Sequence, residues 1–142
     1  MADRIAGLRE GTSDPGVELT VVSKAFTREG GIAGARELLD RGLTAIVGLN
    51  DAMAIGILSE LRQHGIRVPE EMSVVGFDDI AVAPDVAPAL TTARIPMLEM
   101  GQHAVSLILR PASDEARTIT TAHELIIRQS SGPPGLTAAR IS

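Results

Sequence analysis

Thr44-Ala-Ile-Val-Gly-Leu-Asn-Asp51 and Ser73-Val-Val-Gly-Phe-Asp-Asp-Ile80 are short apolar runs, each of which ends in polar residues. An apolar run without alternation, bounded by turn signals, reads as a strand covered on both faces, as in a parallel sheet. Between the two, Asn50 or Asp51 can cap a helix that extends to His64, and Gly65 stops it. Its core stripe is Ala54, Ile57, Leu58 and Leu61, while Ile55 projects about 100° away from that stripe and is a candidate for a partner surface. Pro69 breaks the loop that leads to the second run.

Upstream, Glu18 to Ser23 carries Leu19, Val21 and Val22 between turn signals and reads as another strand. Thr27 can cap the helix that follows, which runs to about Arg41 with Ile32, Ala35, Leu38 and Leu39 on one face, and Gly42 ends it. Three strands separated by helices specify an α/β fold with a parallel sheet of βα units and right-handed crossovers. A short amphipathic helix is expected over residues 3 to 10, and residues 11 to 16 form a loop. Downstream, an Ala- and Pro-rich loop passes Val86 and leads to extended Leu90 to Ile95. Pro96 then suits the first position of a helix to about Arg110, with Met97, Gly101, Ala104, Val105 and Ile108 along one side. Residues 118–121 and 124–129 read as two short strands with a turn between them, and the Gly- and Pro-rich tail from Ser130 reads as mobile.

The 142 residues, 44% of them hydrophobic, suffice for one buried core and not for two ordinary domains. No apolar run approaches the roughly 18 residues of a membrane span, and the N-terminus lacks the pattern of a secretory signal, so a cytoplasmic protein is expected. With no cysteine and only three scattered histidines, no metal site is expected, and no cofactor is implied. A net charge of −5 argues against this segment gripping nucleic acid by itself.

In open α/β sheets ligands bind beyond the carboxyl ends of the strands. Phe26, Asn50, Asp51, Asp78 and Asp79 stand there. Carboxylates and amides bridge adjacent hydroxyls with paired hydrogen bonds, and an aromatic face covers the C–H side of a sugar ring, so the inventory suits a neutral, hydroxyl-rich ligand. Asp51 and Asp79 are equally at home as helix or turn caps, which leaves Asn50 and Asp78 as the ligand candidates.

Residues 45–58, the stretch Gly65 to Ile80 and Leu90-Thr-Thr92 closely resemble the LacI/GalR family of transcription regulators, and the likeness runs from Arg4 to about Ser131. The resemblance implies a type I periplasmic-binding-protein-like fold of two lobes around a ligand cleft. It implies effector contacts at Arg4, Phe26, Asn50 and Asp78, and a homodimer with Ile55 and the loop near Val86 at the subunit contact. It further implies that residues 1–131 are the C-terminal part of the effector domain, with 2–95 and about 118–131 mainly in one lobe and 96–110 a helix of the other, followed by a disordered tail at 132–142. DNA would be read by a helix-turn-helix head that this segment does not include, and sugar binding would control that head allosterically. Two positions depart from the family: Leu8 stands where Phe or Trp is usual, and Ile95 replaces a Gln that often reaches the ligand.

Two other readings compete. A periplasmic sugar-binding protein of an uptake system would share the fold and the Asn-Asp block but lacks the Phe-Asp-Asp and Leu-Thr-Thr pattern. An enzyme or phosphoacceptor could use the adjacent aspartates, yet the sole lysine, Lys24, is not at a matching strand end, and the sequence shows neither a nucleophile-and-base pair nor a Gly-rich phosphate loop.

Overall fold

The computed structural model describes residues 2–110 and 117–134. Its elements follow in the order α1 (Ala2–Gly11), α2 (Arg28–Leu38) with a single 3-10 turn at Leu39–Arg41, β1 (Ala45–Val47), α3 (Asp51–Gln63), β2 (Ser73–Asp78), β3 (Thr91–Arg94), α4 (Met97–Ile108) and β4 (Glu124–Ile126). The four strands form one sheet in sequence order; β1, β2 and β3 run parallel and β4 closes the edge antiparallel to β3. The fold is therefore the expected α/β sheet of βα units. Among the described residues no helix is long and apolar enough to cross a membrane.

The helix limits follow from local chemistry. Thr27 accepts the Gly30 N–H with its hydroxyl, and Gly42, at φ 65°, ends the turn after α2. Of the two possible caps of α3, Asn50 serves: its Oδ1 accepts the Met53 N–H at 2.7 Å. Gly65, at φ 70°, lies just beyond its C-terminal end. The expected stripe of Ala54, Ile57, Leu58 and Leu61 is buried, with Ala35, Leu38, Ile46, Val74 and Leu90 in the same core. Ile55 and Val86 are partly buried and pack against that core. The two helices approach closely because Gly31 of α2 faces the Met53 carbonyl of α3, where a Cβ would stand 2.1 Å from the oxygen.

Three expectations need correction. Residues 18–23 join no sheet. From Leu19 to Lys24 burial alternates residue by residue, as on a strand, but no ladder is formed. The segment is held by α2 instead: Lys24 Nζ pairs with Glu37 Oε2 at 2.6 Å, and an apolar cavity of about 160 Å³ lies between it and β1. The strand expected at 118–121 is also absent, since 117–120 are exposed throughout and have no buried face to hold a ladder in register. Finally, the start of the expected tail, at Ser130 to Gly132, is tied to the sheet. Ser130 is fully buried, donates to the Val74 carbonyl at 2.6 Å and accepts the Thr91 N–H at 2.8 Å, and Gly132 exchanges hydrogen bonds with Ser73 Oγ. The rest of the expected tail, 135–142, lies outside the described residues.

Helix α4 follows Pro96 as expected, but no residue of it is buried. Met97, Leu98, Val105, Ile108 and Leu109 are all exposed, so its apolar side faces solvent.

Candidate functional site

The carboxyl ends of β1 and β2 carry Leu49-Asn50 and Asp78-Asp79, and α1 lays Arg4 across both. Arg4 donates through Nη1 to the Leu49 carbonyl and through Nη2 to Asp78 Oδ1 at 3.1 Å. Its guanidinium carbon sits 3.9 Å from the centre of the Phe77 ring and 5.9 Å from that of Phe26. Both distances are within cation–π range. Three of the four expected contact residues, Arg4, Phe26 and Asp78, thus meet around one cation.

Asn50 is close by but already engaged. Its Oδ1 caps α3, its Nδ2 donates to the Phe26 carbonyl at a long 3.4 Å, and the residue is buried. Only the amide N–H₂ has capacity to turn toward a ligand. Phe26, by contrast, is 42% exposed.

Asp78 has φ 116° and Asp79 φ 56°. Non-glycine residues seldom adopt such backbone, and a strained corner of this kind persists only where its surroundings hold it. Burial pushes the Asp78 carboxyl above its ordinary value; Arg4 offsets only part of that rise, and nearby Asp51 adds to it. Burial acts on Asp79 in the same sense, but hydrogen bonds from Arg128 and Arg94 outweigh it and hold that carboxyl below the usual range. The adjacent carboxylates are therefore tuned in opposite directions, one poised and one clamped.

Asp51 and Asp79 have structural partners. Asp51 is fully buried, accepting from Thr92 Oγ1 at 2.6 Å and from the Ile80 N–H at 2.8 Å. Asp79 receives Arg94 Nε and Arg128 Nη2, each at 2.7 Å. Sequence reasoning missed Phe77 as the platform for Arg4, and Arg94 and Arg128 as the partners of Asp79. For Phe77 a signal existed, since the chain has only two aromatic residues and this one adjoins Asp78. The two arginines are distant in sequence and carried none. Among the described residues no group of three or more His, Asp or Glu could hold a metal ion.

A family model described as a periplasmic binding protein-like domain matches residues 1–131. The HTH-type transcriptional regulator AscG of Escherichia coli is 36% identical over 135 residues, which is 90% of this chain and 40% of AscG. Among solved structures, the transcriptional regulator CelR in complex with cellobiose superimposes with a TM-score of 0.85 at 33% identity, covering 92% of this chain and 42% of that one. A LacI family regulator from Enterococcus faecium with bound ribose gives 0.80 at 28% identity, covering 93% and 50%. The chain spans about two fifths of the length of the curated relatives it matches. Those relatives are transcriptional regulators rather than enzymes.

Proposed function

The chain belongs to the periplasmic binding protein-like domain family, in the form carried as effector-binding domain by LacI-type transcription regulators, and from that premise we propose that it contributes one wall of a sugar-binding cleft. The observation that carries this reading is the Arg4 guanidinium, fixed on the Phe77 ring between Asp78 and the Leu49 carbonyl at the strand ends. Arg4 and Asp78 present a charge-assisted donor and acceptor for vicinal hydroxyls, Phe26 offers an apolar face, and the Asn50 amide turns from the Phe26 carbonyl to the ligand. Cellobiose and ribose in the matched regulators support a sugar or related polyol as the effector class.

In this reading the segment α4, with 96–110 overall, belongs to the opposite lobe of the cleft, which accounts for its uncovered apolar side. The whole regulator is a cytoplasmic homodimer with Ile55 and Val86 near the subunit contact. Effector binding closes the lobes and changes DNA affinity in a helix-turn-helix head, a coupling between distant sites. An uptake binding protein is not favoured, since the matched relatives are regulators.

A thermal-shift screen of sugars, with cellobiose and ribose included, tests the site. A stabilising sugar should lose its effect in Asp78→Ala. An equal shift in that variant would remove Asp78 from the site.

A further inference from the structure

Asp79 is only 8% exposed at its side chain, yet it lies just past the end of β2 at the rim of the proposed cleft. Its Oδ2 accepts Arg94 Nε and its Oδ1 accepts Arg128 Nη2, both at 2.7 Å. Arg94 is the last residue of β3, two before Pro96, which precedes α4; Arg128 lies two residues past the end of β4, the strand that follows α4. Each arginine has a second hold: Arg94 Nη1 donates to Glu124 Oε2 at 3.0 Å, and Arg128 Nη1 to the Leu90 carbonyl at 2.7 Å. The backbone N–H of Asp79 also leans on Thr92 Oγ1 at 3.4 Å, the hydroxyl that donates to buried Asp51. One carboxylate thereby ties the end of β2 to both strands that run to and from α4, at the corner where Asp78 and Asp79 hold positive φ.

We infer that Asp79 is a positioning residue: with Arg94 and Arg128 it forms a latch that aims the Asp78 carboxylate at Arg4 and locks that aim to the two crossover strands. A displacement of Asp78 is then felt at Arg94 and Arg128, and movement of the crossover strands is felt at Asp78. Two arginines on one buried carboxylate suit this role, because charge-assisted hydrogen bonds are short and directional, and a strained corner needs surroundings that over-determine it. The inference rests on the reading of Asp78 as a ligand group only for its consequence in binding; the latch itself stands in the unliganded chain.

The test uses Asp79→Asn, which keeps shape and removes charge, with exposed Asp85→Asn as the control. Carboxyl carbon NMR should find the Asp78 titration moved in the same direction in Asp79→Asn and in Arg128→Gln, although one removes a negative and the other a positive charge nearby, and unmoved in Asp85→Asn. Amide exchange should rise about tenfold or more over residues 91–94 and 124–128 while that of residues 57–61 stays unchanged, as for a local opening. Arg128→Gln should reproduce both effects, and the double variant should add little. Exchange that rises evenly through the chain, or an Asp78 titration that does not move, would overturn the latch. Cellobiose and ribose affinity forms a separate arm: if neither binds the wild type, these two sugars are removed as effectors while the latch is still decided by titration and exchange. If either binds, its dissociation constant should weaken in Asp79→Asn, and unchanged affinity would overturn the positioning role.

Discussion

Thr92 Oγ1 donates to Asp51 Oδ1 across 2.6 Å in the fully buried interior, joining the first turn of α3 to β3. The other carboxylate oxygen accepts the Ile80 N–H at 2.8 Å, just past the strained Asp78–Asp79 corner. Asp51→Ala strands a buried hydroxyl and a backbone N–H together, and each donor left without a partner costs roughly 1–3 kcal/mol. Urea unfolding should show that loss, with Thr92→Val costing less because Ile80 still serves the carboxylate. Gly76 belongs to the same contact: a Cβ there would lie 2.2 Å from Asp51 Oδ1, so Gly76→Ala should also destabilise.

Two glycines of α2 predict substitutions of opposite sign, one at the seam with α3 and one facing the segment before α2. Gly31→Ala would set its Cβ 2.1 Å from the Met53 carbonyl oxygen, a backbone atom that cannot step aside without parting the helices. Overpacking of this kind costs about 1–3 kcal/mol. Gly34 is also buried in α2, but its nearest neighbour is Lys24 Cγ at 3.4 Å, the middle of a flexible side chain. Gly34→Ala should therefore gain about 0.5–1 kcal/mol from the lower entropy cost of alanine in a helix. Thermal melts of the two variants on either side of the wild type would bear this out; a stable Gly31→Ala protein would refute the close seam.

Much of this arrangement was legible in the residues themselves. The apolar runs at Ala45–Val47 and Ser73–Asp78, bounded by turn signals, and the helical stripe from Ala54 to Leu61 between them fit a βα unit, and Gly42 and Gly65 mark where helices stop. The resemblance to LacI/GalR regulators, rather than periodicity, brought Arg4 to the site. What stayed hidden depends on partners distant in sequence. The propensity of Glu18 to Ser23 is that of a strand, yet the segment forms no ladder although β1 leaves one edge unpaired, and the Lys24–Glu37 ion pair ties its end to α2. Propensity was overruled by tertiary contact in the same way at Ser130, whose hydroxyl lies between Val74 and Thr91 although Gly and Pro surround it in sequence. Strand alternation assigns Phe77 a face but cannot say that a guanidinium from α1 will cover it.

The apolar side of α4 is open: Leu98 and Leu109 are 78% and 79% exposed. Exposed patches of this kind bind hydrophobic dyes and associate with other apolar surfaces. Leu98→Gln combined with Leu109→Gln should lower dye fluorescence while changing stability by no more than about 0.5 kcal/mol per site, as for surface positions. Unchanged dye binding would place the responsible surface elsewhere, and a large loss of stability would mean that this side of the helix is covered in solution.

The opposite tuning of Asp78 and Asp79 sets the dependence of stability on pH. Asp79 has a folded-state pKa below its unfolded value, so its contribution is present above the unfolded value of about 3.9 and is lost as pH falls through the folded one. Asp78 has a raised folded-state pKa, so the folded chain holds that proton more tightly, and ionising it removes stability as pH rises through the window above the ordinary carboxylate value. Asp79→Asn should therefore melt below the wild type at pH 7, with the gap narrowing toward pH 3. Asp78→Asn should melt at or above the wild type at pH 7 and match it at pH 3, where the wild-type carboxyl is itself neutral. A melt of Asp78→Asn well below the wild type at pH 7 would show that the Arg4 ion pair outweighs the cost of burying the charge. Asp78 would then be a stabilising residue rather than one whose ionisation is tolerated for binding.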